Sequence, residues 1–130
     1  DIGGNELTGD TEEYELSPVA IPAVTGSATF AKRKNGNTLV TVALENTDPG
    51  TYSSHIHANT IAEGGGIVIN LNAVDGTTGM ARTTVRKLND VGGVTGAPIT
   101  YDELLVFDGY LNVHGGGSFI AQGNIGSNAP

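Results

Sequence analysis

Gly26-Ser27-Ala28-Thr29-Phe30-Ala31-Lys32, then Asn35-Gly36-Asn37, then Thr38-Leu39-Val40-Thr41-Val42-Ala43-Leu44: this stretch decides how the chain folds. Both flanking runs alternate on the two-residue period of a strand. An Asn-Gly pair between such runs is the strongest short-range hairpin signal, because both turn residues tolerate positive φ. Working outward, Pro18 and Pro22 frame a short extended segment before the hairpin, and Asp48-Pro49-Gly50 makes a turn after it. Further strands are expected at His55-Ile56-His57, at 67–71, at 81–88, at 110–114 and at 119–125. Gly64-Gly65-Gly66, Asp75-Gly76 and Gly115-Gly116-Gly117 link them. Residues 89–100 read as loop, and Tyr101 to Leu105 as one helical turn capped by Thr100. Seven or eight short strands with turn signals between them point to an antiparallel all-β sandwich or barrel.

Composition agrees. The chain has 130 residues, 20 of them glycine, and no cysteine or tryptophan. That length suits one domain with one aliphatic core, and needs no disulfide or structural metal to hold it. Residues 1–16 carry Asp10, Glu12, Glu13 and Glu15 without an apolar period, and are expected to be a flexible acidic linker before a domain at 17–130. The net charge of −8 repels phosphate backbones, so nucleic acid is a poor partner. No apolar run approaches the roughly 18 residues that span a bilayer. A first residue of Asp rather than Met is read as the mark of a processed product, tethered by a lipid anchor or released. The expected setting is extracytoplasmic: periplasm, cell surface or secreted.

The chemistry concentrates in three histidines. Side chains alternate faces along a strand, so His55 and His57 share one face, about 6.6 Å apart, while Ile56 points to the core. In Tyr110-Leu111-Asn112-Val113-His114, Leu111 and Val113 suit the core, and Tyr110, Asn112 and His114 share the opposite face. If the two strands are neighbours, His114 joins the pair within one strand spacing, about 4.8 Å. Asn112 is then placed to fix an imidazole tautomer. Three neutral imidazoles suit copper or zinc, and sometimes iron or nickel. Met80, the sole methionine, is a candidate soft ligand, although lone methionines more often fill cores.

Other chemistry is absent. There is no Gly-x-Ser-x-Gly elbow and no Walker loop. The lack of cysteine removes thiolate zinc sites and cysteine nucleophiles. Lys32-Arg33-Lys34 is a basic hairpin tip, too small to recruit nucleic acid against the overall charge.

Ser54-His55-Ile56-His57, a glycine-rich loop, and Gly66-Ile67-Val68-Ile69-Asn70-Leu71 resemble the first half of the chordin (CHRD) domain. Tyr101-Asp102-Glu103-Leu104-Leu105, Gly109 to His114, and Gln122-Gly123-Asn124-Ile125 resemble the second half. The resemblance runs from about residue 24 to residue 125. It departs in the loop 58–63 and at Gln122, where the family commonly has arginine. It implies an immunoglobulin-like or superoxide-dismutase-like β-sandwich, secreted or on a bacterial surface, with His55, His57 and His114 as matched positions. It does not imply an enzyme. The leading expectation is a copper-binding module for sequestration, delivery or sensing. The alternatives are a non-enzymatic protein-interaction domain with structural histidines and, behind it, a dismutase-type redox enzyme.

Overall fold

A computed structural model describes residue 4 and residues 6–19, 22–115 and 118–129. Eight strands run in chain order: β1 (Leu7–Pro18), β2 (Thr25–Arg33), β3 (Thr38–Glu45), β4 (Thr51–Ala58), β5 (Ile67–Asp75), β6 (Met80–Val85), β7 (Asp108–Gly115) and β8 (Ser118–Gly126). One helical turn, α1 (Tyr101–Leu104), precedes β7. All neighbouring strands are antiparallel.

The strands close into a barrel in the order β1-β2-β3-β6-β5-β4-β7-β8. The all-β antiparallel class and the count of seven or eight strands hold among the described residues; the expected β-sandwich is here a closed barrel. Closure rests on two thin seams. β5 meets β6 at one register pair, Asp75↔Met80. β1 meets β8 at two, Ser17↔Gln122 and Pro18↔Ala121. The other neighbours pair along most of their length. At the β5–β6 seam side chains replace part of the ladder: Asn72 Nδ2 donates to the Arg82 carbonyl at 2.7 Å, and Thr83 Oγ1 accepts from the Asn72 amide at 2.8 Å.

The hairpin that opened the reading is β2–β3, in register from Thr25↔Glu45 to Lys32↔Thr38. Of the two turn residues only Gly36 takes positive φ, at 88°. The Asn35 side chain accepts from the Asn37 amide at 2.9 Å, holding a longer turn than a two-residue one. Gly26 sits on β2 where a Cβ would stand 2.1 Å from the Ala43 carbonyl oxygen, so only glycine fits there.

The acidic N-terminal segment is a strand and not a linker, at least from Leu7 onward; residues 1–3 and 5 lie outside the described residues. Tyr14 and Leu16 point inward and are buried, while Glu13 and Glu15, each just before one of them, face water. Tyr14 meets Phe30 edge to face, with ring centroids 5.0 Å apart. The charges that suggested disorder occupy the wet face of an alternating strand.

The core is aliphatic, as composition required, with Phe30, Leu16, Val40, Val42, Ile56, Leu111, Val113 and Ile125 almost wholly enclosed. α1 closes one end of it. Its Tyr101 and Leu104 are buried, and Thr100 caps it through a reciprocal capping box with Glu103. Gly116 and Gly117, expected to link two strands, lie outside the described residues. No helix among the described residues is long and apolar enough to cross a membrane.

Candidate metal centre

The site stands on the outer face of β4 and β7, which are direct neighbours. Their register pairs Ser53↔His114, His55↔Asn112 and His57↔Tyr110. Ile56 and Leu111, paired with each other, face the core and are fully buried. By alternation, His55, His57, Tyr110, Asn112 and His114 all project from the outer face. His55 lies directly across from Asn112 and diagonally across from His114, the spacings at which side chains on one sheet face meet.

Each histidine is held differently. His57 is the most constrained. Its Nδ1–H donates to the Gly65 carbonyl oxygen at 2.9 Å; a carbonyl only accepts, so this contact puts the proton on Nδ1. Its Nε2 stands 3.2 Å from the side-chain amide of Asn112. Its ring stacks on Tyr110, with centroids 4.8 Å apart and planes 11° from parallel. The Tyr110 hydroxyl accepts from the Gly65 amide at 3.4 Å, so the glycine loop, the tyrosine and the imidazole form one unit. Gly65 is fixed by a close approach: a Cβ there would lie 2.1 Å from the Ala58 carbonyl oxygen.

His114 is held least. Its Nδ1 is shielded from water and has no hydrogen-bond partner among the described residues. Its ring lies beside Phe119, with centroids 5.9 Å apart. A buried polar atom left unpaired costs about 1–3 kcal/mol. Such an atom asks for a reason to be kept.

His55 is half-buried between the other two, its ring centroid 6.1 Å from that of His57 and the planes 88° apart. Burial pushes its pKa below the ordinary 6.5, and the nearby His57 and His114 push it the same way. The folded protein therefore favours the neutral ring with a free lone pair. The consequence for stability has a definite sign. A lowered folded pKa contributes stability that is complete above the unfolded value of 6.5 and is lost as pH falls through the folded value. Between about pH 7.5 and about pH 5 the metal-free wild type is expected to lose more melting temperature than His55→Gln, which cannot titrate. Parallel curves for the two proteins would show that His55 carries no such linkage.

One ring separation is compatible with a shared ion. Two imidazoles sharing one ion at ordinary nitrogen–metal distances have ring centroids about 5.2–6.4 Å apart, as the ligand angle opens from tetrahedral to linear. The His55–His57 separation falls inside that range. His57 has its outer nitrogen anchored on a backbone carbonyl, as metal-binding histidines usually do. His114 has the orphaned nitrogen. The three rings are gathered but not closed on a point: among the described residues no three His, Cys, Asp or Glu side chains already stand in a metal-holding arrangement.

Met80 is not gathered. It opens β6, paired with Asp75, which pairs in turn with Thr51, four residues from His55 along β4. Strand geometry puts it roughly 16 Å from His55, out of reach of a shared ion. The sequence reading gave Asn112 a supporting role but missed its burial, at 2 % exposed, and missed Gly65 and Tyr110 as anchors of His57. Face alternation put Tyr110 on the histidine face, which was the available signal; the reach of the loop was not encoded in any spacing. Comparison with protein-family models, with curated proteins and with solved structures finds no match to this chain.

Proposed function

We propose that this barrel is an extracytoplasmic metal-binding module, for copper with zinc as the alternative, that serves sequestration, delivery or sensing and not catalysis. The observation that carries the reading is the β4–β7 register, which sets His55, His57 and His114 on one outer face, with a buried His114 nitrogen that has no partner among the described residues. His55, His57 and His114 would hold the ion, without Met80. Nitrogen donors free of thiolate suit copper(II) and zinc, and copper(II) binds such sets more tightly than the other common divalent ions. The metal would supply a strong cross-link between two neighbouring strands. The chain's own residues favour the neutral form of His55, fix the His57 tautomer through Gly65, and set the His57 ring on Tyr110 and the His114 ring beside Phe119.

The two thin seams divide the barrel into β1-β2-β3-β6 and β5-β4-β7-β8, which suits a dismutase-like sandwich closed at its edges. A second reading, an interaction domain with structural histidines, draws on His57, whose nitrogens both have partners. It leaves His114 unexplained.

Chelator-stripped protein titrated with copper(II) is expected to take one ion per chain. Its melting point is expected to rise with metal, by the equivalent of about 2.7 kcal/mol when free metal is a hundredfold above Kd. No uptake and unchanged melting with excess copper and zinc would favour the interaction reading.

A further inference from the structure

We infer that Asn112 is a lock on the metal centre: its amide occupies the one His57 nitrogen available to a metal and must release it before an ion binds. The inference rests on the metal-binding reading above and adds the step that controls it.

His57 has two ring nitrogens, and Nδ1 is committed, with its proton, to the Gly65 carbonyl. Only Nε2 can offer a lone pair to an ion. That nitrogen faces the Asn112 amide at 3.2 Å. The amide atom nearest Nε2 is Oδ1, which accepts from the Nε2–H of a charged ring; the amide turned over offers Nδ2–H to the lone pair of a neutral one. In both states the metal-binding position is taken. Asn112 is 2 % exposed, so water cannot readily replace the contact. It is also the direct cross-strand neighbour of His55, so it stands between the imidazoles that would have to converge. This accounts for three rings gathered on one face with no closed metal-holding geometry. A residue supporting a ligand contacts the nitrogen away from the metal, and here Gly65 already does so. Asn112 contacts the other one.

A lock and a support predict opposite signs. Titration of wild type and of Asn112→Ala with zinc(II), at one pH and salt, is expected to show unchanged stoichiometry and about fivefold tighter binding in the variant, the worth of one ordinary hydrogen bond. Tighter binding than wild type, or binding gained where wild type shows none, supports the lock. Equal or weaker binding in a folded variant overturns it. If neither protein binds zinc or copper, the lock and the metal reading fall together; if wild type binds and the variant does no better, the lock alone falls. Should Asn112→Ala fold poorly, the wild type decides through its side-chain amide protons. Zinc is expected to shift the Asn112 NH2 resonances toward those of a released amide, with the His57 Nδ1 proton retained. An Asn112 amide unmoved at zinc saturation overturns the proposal.

Discussion

His114→Ala is expected to abolish tight copper binding while leaving the metal-free barrel as stable as wild type, or slightly more so. The two halves of this expectation come from one atom. Nδ1 of His114 is buried without a partner among the described residues. In the metal-free protein it is a cost of about 1–3 kcal/mol that truncation removes, set against the loss of ring packing on Phe119. Under the metal reading the same truncation takes away one of three ligands. Loss of a group that merely orients a ligand weakens metal binding about 10–100-fold, so loss of a ligand is expected to cost at least about a hundredfold. His57→Ala makes the contrast. It breaks the bond to Gly65 and the stack on Tyr110, so stability and metal binding are expected to fall together. The measurements are urea unfolding of the metal-free proteins and copper titration of each. A His114→Ala protein that binds copper like wild type would remove His114 from the centre. A metal-free His114→Ala that loses several kcal/mol would make it a structural histidine. Groups kept at a cost to stability are the usual mark of a functional site.

The histidine face was legible because it depends only on a period of two. His55 and His57 flank Ile56, and Asn112 and His114 flank Val113, so the outer set follows from the inner one. The β2–β3 hairpin and the Thr100 cap were legible for the same reason, since each is local chemistry. What was not legible is long range. Nothing in the order of residues states that β4 lies between β5 and β7, or that β1 returns to β8 and closes the barrel. Met80 was a candidate ligand only while the sheet order was open; the register of β5 and β6 removes it. Asn112 was read as an aid to the histidines, but its effect depends on which nitrogen it meets, a matter of side-chain geometry.

The acidic N-terminus is the sharpest divergence, and it yields a prediction of comparable size. If residues 1–16 were a linker, their removal would leave the melting transition unchanged. In the barrel they include most of β1, which pairs with β2 from Leu7↔Arg33 to Leu16↔Gly26. Leu16 is 1 % exposed and lies against two positions where only glycine fits, Gly26 on β2 and Gly123 on β8. A Cβ at Gly123 would come 2.1 Å from the Glu15 carbonyl oxygen, so β8 is built to receive this strand. Leu16→Ala is expected to cost about 2–5 kcal/mol, the range for a fully enclosed leucine. Deletion of 1–16 is expected to do more: it uncovers the core at Phe30, strips β2 of its β1 neighbour, and leaves β8 with only Ser17 and Pro18 beside it. The shortened chain should lose its cooperative urea transition, or associate through those edges. By contrast, Glu13→Gln changes only the wet face and should fall within about 0.5 kcal/mol of wild type. A deletion variant that melts like the full chain would return the segment to a linker, with the seam between β1 and β8 resting on Ser17 and Pro18 alone. The histidine face stands on the far side of β8 from that seam, so Leu16→Ala tests the barrel without touching the metal ligands.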